Sequence, residues 1–236
     1  MIDLHCHILP RIDDGARDLK TAFKMASIAV RDGIDTVVAT PHILDVPLEM
    51  RKLRENVRKL NRLLVSRGID VTLIPGAEVS PFAFAQINKI EDYTVNGSRY
   101  LLVEFPCLNI PEYFEDLLFN LLAKGMVPVL AHPERNSKII ENPSRIKNFL
   151  KNNVLIQITS GSITGLLGSK IKKCAEYMLE NNLVDVVASD AHSARRRPPV
   201  LSEAYGRIKK RFGRDMAVAL FYKNPKAIIQ DKELIK

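Results

Sequence analysis

Seven short apolar runs punctuate the chain, at Ile2–His7, Thr36–Thr40, Val71–Pro75, Tyr100–Phe105, Val127–Ala131, Val154–Ile158 and Asp185–Ser189. Most lack clean polar–apolar alternation, which is the pattern of parallel strands buried on both faces. Between them, apolar residues recur at spacings of three and four, the helical period. Leu19, Phe23, Ala26 and Val30 make the first such stripe, and Gly33 stops it. Met50, Leu53, Val57, Leu60 and Leu64 make the second, and Leu117, Leu118, Leu121 and Leu122 another. Asn142-Pro143 reads as an N-cap and first helical position ahead of Ile146, Phe149 and Leu150. Ile171, Cys174, Ala175, Met178 and Leu179 follow, then Leu201, Ala204, Tyr205, Ile208 and Phe212, and a short closing helix from Asn224-Pro225. Strand alternating with helix predicts a parallel sheet in an α/β fold. Periodicity alone does not decide whether that sheet closes into a barrel. No repeat, low-complexity tract or linker interrupts the alternation, so one domain over residues 1–236 is expected.

Composition narrows the class. A hydrophobic fraction of 46 % over 236 residues suits a globular chain with a sizeable core. There is no apolar run of about 18 residues and no signal-peptide pattern, so neither a transmembrane segment nor export is expected. Cys6, Cys107 and Cys174 are odd in number and far apart, which argues against a disulfide framework and for a cytoplasmic location. The net charge of +8 favours anionic partners, such as phosphate esters, acidic protein tails, nucleic acid or a membrane surface, but equally describes a solvated basic exterior.

Candidate chemistry gathers at the strand ends. His5 and His7 lie two apart on the first strand, so both face one side. Further on come Asp13 and Asp14, then His42, Glu78, Glu104, His132 with Arg135, and Asp190 with His192. All five histidines fall at or just beyond a predicted strand C-terminus, the edge on which parallel α/β folds build active sites. Imidazoles and carboxylates without thiolate suit two or three divalent ions, Mn, Fe or Zn. Such a cluster lowers the pKa of a water and clamps both oxygens of a displacement, which predicts hydrolysis of a phosphate ester. Arg135, Arg195, Arg196 and Arg197 supply guanidinium groups suited to phosphate oxygens. Spacing does not choose between Asp13 and Asp14 as a ligand.

These pieces carry a resemblance to a known superfamily. Asp3-Leu4-His5-Cys6-His7, Ile12-Asp13-Asp14-Gly15, Thr40-Pro41-His42, Gly76-Ala77-Glu78, Glu104-Phe105-Pro106, Ala131-His132-Pro133-Glu134-Arg135 and Ser189-Asp190-Ala191-His192 resemble, in order, the motifs of the PHP (polymerase and histidinol phosphatase) superfamily. Within it the chain is similar to the bacterial CpsB/YwqE-type protein-tyrosine phosphatases linked to capsular and exopolysaccharide synthesis. The resemblance implies a single-domain, distorted seven-stranded (βα)7 TIM-like barrel with two to three divalent ions, manganese foremost. It implies a first ion on His5, His7, Glu78 and Asp190, a second on Glu78, Glu104 and His132, and a third on Asp14, His42 and His192. Arg135 and Arg197 match its phosphate-contacting arginines, with Arg195 and Arg196 as neighbours of the second. Ser80, where relatives often carry a larger polar residue, and the run Arg195-Arg196-Arg197-Pro198-Pro199 depart from the pattern and bear on substrate preference.

The expected activity is therefore metal-dependent hydrolysis of phosphotyrosine in a protein, the tail of a bacterial tyrosine kinase being the implied partner. No cysteine nucleophile is called for: the sixth residue after each cysteine is Ile12, Tyr113 or Glu180, never the arginine of thiol phosphatases. A small-molecule phosphoesterase resembling histidinol phosphatase is one alternative. The other is a non-enzymatic basic binding module built on Arg51, Lys52, Arg54, Arg58, Lys59 and Arg62, although no stable nucleic-acid partner is expected.

Overall fold

The computed structural model describes residues 1–44, 48–150 and 153–234. Each of the seven apolar runs contains a strand: β1 Ile2–Cys6, β2 Thr36–Ala39, β4 Thr72–Pro75, β6 Tyr100–Glu104, β7 Val127–Ala131, β8 Leu155–Thr159 and β9 Val186–Ala188. Two strands of two residues were not foreseen, β3 His42–Ile43 and β5 Glu78–Val79. All pairings between these strands are parallel, in one sheet of order β1-β2-β4 and another of order β3-β5-β6-β7-β8-β9.

The two extra strands have a local cause. Pro41 lacks an N–H and interrupts the run that began as β2. Opposite it, Gly76 interrupts the run that began as β4, and a Cβ there would lie 2.8 Å from Val38 Cγ1. Hydrogen bonds bridge the break, from Gly76 N–H to Ala39 O (3.0 Å) and from Glu78 N–H to Pro41 O (3.1 Å). Beyond it, His42 and Glu78 face each other in register. At the other edge, Asp190 N–H donates to His5 O and His7 N–H to Ala191 O, both at 2.9 Å, and Cys6 bridges Ala191 in parallel. Asp3 ties the same edge from below, accepting from Ser189 N–H (2.8 Å) and Ser189 O–H (2.5 Å).

Side-chain alternation divides the core. Leu4, Val38, Leu102, Val129, Ala131, Leu155, Val186 and Ala188 share one buried cluster. Leu101, Val103, Leu130, Ile156, Ile158 and Val187, of opposite parity, pack against the helices in the larger one. The parity that places Leu102, Leu155 and Ala188 inside brings Glu104, Gln157 and Asp190, two residues on, over the same interior. The register of β1 shifts between Asp3 and Cys6. That irregularity lets Leu4 join the inner cluster while His5 turns to the mouth.

The helices are α1 Leu19–Arg31, α2 Met50–Val65, α3 Phe114–Ala123, α4 Ser137–Glu141, α5 Ser160–Thr164, α6 Ser169–Glu180, α7 Ser202–Phe212, α8 Arg214–Val218 and α9 Asn224–Ile229. In α2 the buried face is the one that periodicity marked. In α1 it is so only in part: Ala22, Met25, Ala26 and Ala29 are buried and Phe23 packs against them half-buried, while Leu19 and Val30 are 45 % and 36 % exposed. Small residues allow α1 to lie close to the sheet, and they displace the larger apolar residues to its flank. Asn142 caps its segment as expected, accepting from Ser144 N–H, but Pro143–Phe149 winds as a 3-10 turn rather than an α-helix.

The turn joining β1 to α1 is held by its glycine. Ala16 N–H donates to His7 O at 3.0 Å, and Gly15 N–H to Asp13 Oδ1 at 3.0 Å. A Cβ on Gly15 would lie 2.1 Å from His7 O and 2.4 Å from His7 Cβ, both immovable neighbours. Gly15→Ala should therefore cost about 2 kcal/mol or more and lower the melting temperature by roughly 4–8 °C. Gly206→Ala, in α7 with nothing within 4 Å of the new Cβ, should be neutral or stabilising by up to about 1 kcal/mol. Thermal unfolding of the two variants beside the parent checks both expectations.

Candidate metal centre

The strand ends bring all nine predicted ligands together. Their donor atoms fall into four overlapping groups, each spanning less than 4.8 Å: His7, Asp14, His42 and His192; His5, Glu78 and His132; His5, His7 and Asp190; His42, Glu78 and Glu104. His5, His7, His42 and Glu78 each belong to two of the groups, and Glu78 is the carboxylate among them. Its Oε1 lies 2.8 Å from His132 Nε2, and its Oε2 lies 3.1 Å from His5 Nε2, 3.4 Å from His7 Nε2 and 3.0 Å from His42 Nδ1. Asp190 Oδ1 sits 3.4 Å from both His5 Nε2 and His7 Nε2. Asp14, 67 % exposed, lies 3.4 Å from His192 Nε2 and 3.6 Å from His42 Nε2. Two of these residues hold left-handed backbone conformations: φ is 40° at His132 and 51° at Asp190. Such strained positions concentrate at functional sites.

The imidazoles are oriented from behind. Nδ1 of His5 donates to Gln157 Oε1 (2.8 Å), that of His7 to Asp13 Oδ2 (2.6 Å) and that of His192 to Asp190 O (3.0 Å). Partners that only accept fix the proton on Nδ1 and leave the Nε2 lone pair facing the cluster. The two aspartates take different places. Asp13 holds His7, and also accepts from His42 N–H at 3.0 Å, while Asp14 turns into the cluster. Gln157, at a strand end that offered no strong ligand, and Asp3 were missed as supports. An amide and a structural aspartate carry no spacing signal of their own.

The charge balance fits cations. Nε2 of His5 and Nε2 of His7 face each other at 3.0 Å, an arrangement in which at most one can donate. Burial drives the pKa of His5 down, but Glu78 and Asp190 more than reverse it, and His7 and His42 are raised in the same way by their carboxylates. Burial would raise Glu78, yet His5, His132 and His42 hold it well below the usual carboxylate range. Burial and the Glu78 charge raise Glu104. The buried carboxylates thus draw positive charge into the site. Divalent ions supply that charge while leaving the imidazoles neutral as ligands.

Two arginines converge on the same carboxylate. Arg135 Nη1 donates to Asp190 Oδ2 at 2.7 Å, and Arg197 Nη2 bonds both Asp190 Oδ2 and Asp190 O. The loop after His192 folds back to allow this, with His192 N–H donating to Arg197 O at 3.0 Å. Arg195 and Arg196 are exposed and point to the neighbouring surface instead. The cysteines are poorly suited to nucleophilic work. Burial pushes the Cys6 thiol well above its ordinary pKa, pushes Cys174 up to about 12 and raises Cys107.

The exposed face of α2 carries Arg51, Lys52, Arg54, Arg58, Lys59 and Arg62, with Lys52 paired to Glu49 at 3.1 Å.

The chain is similar to known proteins along nearly its whole length. The tyrosine-protein phosphatase YwqE of Bacillus subtilis is 39 % identical over 224 residues, covering 93 % of this chain and 88 % of its own. The tyrosine-protein phosphatase CpsB of Streptococcus pneumoniae is 34 % identical, covering 98 % of this chain and 99 % of its own. A solved structure from the crystallographic work on YwqE and CpsB, described there as metal-dependent tyrosine phosphatases, matches with a TM-score of 0.94 at 37 % identity, over 100 % of this chain and 96 % of its own. A lactonase from Listeria monocytogenes, at 14 % identity and a TM-score of 0.62 over 98 % of this chain and 95 % of its own, shares the mixed α/β fold alone. The family described as capsular polysaccharide synthesis, CpsB/CapC, matches residues 1–230, and the chain belongs to it.

Proposed function

We propose that the chain is a metal-dependent protein-tyrosine phosphatase that regulates capsular or exopolysaccharide synthesis, acting in the cytoplasm on the phosphotyrosine-bearing tail of a bacterial tyrosine kinase. Among the described residues no helix is long and apolar enough to cross a membrane, which accords with that setting. We take the chain as one domain over 1–236, and its two sheets, joined across the Pro41–Gly76 break and again at Cys6 and Ala191, as a distorted seven-stranded barrel. The observation that carries the reading is the convergence of five imidazoles and four carboxylates on one mouth, beside two arginines.

His5, His7, Glu78 and Asp190 would hold one ion, Glu78, Glu104 and His132 a second, and Asp14, His42 and His192 a third, with manganese the first choice. Glu78 would belong to the first two of these sets, and His7 and His42 each fall within two of the overlapping donor groups. When bound, such ions lower the pKa of a water and neutralise phosphoryl oxygens. The chain's own part is to position and to balance charge. Gln157 and Asp13 lock His5 and His7 in the tautomer that presents Nε2. Arg135 and Arg197, anchored on Asp190, present their remaining N–H groups to the phosphate, where they offset the charge of its non-bridging oxygens. The buried thiols support a route without a cysteine nucleophile.

Glu78→Gln should leave the far-ultraviolet circular dichroism unchanged, yet reduce phosphate release from a phosphotyrosine peptide by roughly a hundredfold or more, because loss even of a residue that only supports a ligand costs 10–100-fold. Full turnover in that variant, or undiminished turnover after chelation, overturns the metal-dependent reading. Asp13→Asn should lower activity by about 10–100-fold and weaken manganese retention, measured by elemental analysis after dialysis. Arg135→Ala should keep its metal content while kcat/KM falls by about tenfold or more. Loss of metal instead would make Arg135 a prop for Asp190 rather than a phosphate contact.

A further inference from the structure

Beside the metal centre lies a second concave feature, a groove of about 1180 Å3 that opens at Gly15 and His192 and runs along α1. Its floor is apolar, formed by Leu19, Phe23 and Ile28, the flank residues that the small buried face of α1 leaves uncovered. Its walls are cationic. Lys20, Lys24 and Arg31 line it from α1, Arg195 and Arg196 from the loop after His192, and Arg67 from beyond α2. The Arg67 guanidinium is held 4.1 Å from the centre of the Phe23 ring, so the far end is built rather than loose. Among the described residues no aspartate or glutamate lines the groove. Arg17, a seventh cation on its rim, already faces Asp18 at 3.7 Å. The other six are exposed and enter no ion pair among the described residues.

We infer that this groove binds the polypeptide flanking the phosphotyrosine and selects acidic side chains in it. The inference rests on the phosphatase reading of the adjoining centre. From Lys20 to Arg31 the helix rises about 16 Å, the span of roughly five extended residues. Cations with no carboxylate of their own attract carboxylates of a ligand, and an aromatic, apolar floor accepts the chain between them. A concave channel that starts at His192 fits a peptide better than a lipid surface or a duplex, both of which ask for a broad convex or flat basic face. The basic face of α2 differs, since Glu49 and Asp92 interleave its arginines where it meets a pocket.

The test uses the full chain loaded with manganese. Substrates are phosphotyrosine peptides with a run of glutamates on the N-terminal side, on the C-terminal side, or with alanines throughout. p-Nitrophenyl phosphate serves as the probe that cannot reach the groove. At least one acidic peptide should exceed the alanine peptide by about tenfold in kcat/KM, mainly through KM, with the advantage shrinking as salt rises. Lys20→Glu combined with Lys24→Glu should abolish the advantage and leave p-nitrophenyl phosphate turnover unchanged. The milder Lys20→Ala with Lys24→Ala should halve it or more. Both sites are exposed, and glutamate is tolerated in the N-terminal half of a helix. Equal rates on all three peptides at low salt, or an advantage that survives both double variants, overturns the inference while the phosphatase reading stands. So does a charge-reversal variant that loses only its binding to phosphatidylserine vesicles. Failure of the parent on p-nitrophenyl phosphate and on every peptide would instead overturn the phosphatase reading.

Discussion

Everything at the mouth depends on burying the Glu78 carboxylate. It is fully buried, and an isolated carboxylate in such a place would cost several kcal/mol. The fold offsets this by surrounding it with four imidazoles delivered from three strands or their ends: His5 on β1 and His7 just beyond it, His42 from β3 and His132 just beyond β7. For His5 and His7 the nitrogen behind the ring is tied, which brings Nε2 forward to the carboxylate. Gln157 on β8 and Asp13 in the first turn are therefore part of the same constraint, although neither faces the centre of the cluster. The strand break at Pro41 and Gly76 serves it as well, since it sets His42 opposite Glu78 on the two short strands at the edge of the larger sheet. The left-handed backbone at His132 completes the set, turning inward a side chain that an extended strand, with Ala131 already facing the interior, would have carried to the other face.

Much of this was legible in the sequence, for a definite reason. Parallel strands joined by helices all end on one edge, so residues far apart in sequence become neighbours once strand ends are recognised. His5, His42, Glu78, Glu104, His132 and Asp190 could be grouped without any distance. Less legible was whatever depends on the path between elements. Asp13 and Asp14 differ only in how the turn at Gly15 winds, and Arg197 differs from Arg195 and Arg196 only in how its loop folds back on Asp190. The face of α1 misled because hydrophobicity and burial separate there. Alanines pack where approach is closest, and leucine and phenylalanine are left at the edge. The 3-10 winding after Pro143 escaped notice because an N-cap and a proline open either kind of helix.

That displaced face of α1 links fold to selectivity. A centre that grips a phosphate by ions and two guanidinium groups recognises a dianion and little else. Such a centre would accept many phosphate monoesters with similar ease, because uniform affinity for the phosphate does not distinguish what it is attached to. Discrimination has to come from surface beyond the phosphate. The formal charge of +8 could have been spread evenly over that surface, in which case it would act only as a weak, long-range attraction. Instead, six cations that pair with no carboxylate among the described residues line one channel that begins at a residue of the cluster. An acidic peptide threaded there would be held by several weak, salt-sensitive contacts, none of which touches the reacting phosphate. Recognition of the chain and chemistry on the phosphate are thereby separated: the first can change with the residues of α1 and the loop after His192, while the second stays bound to the strand ends that hold Glu78.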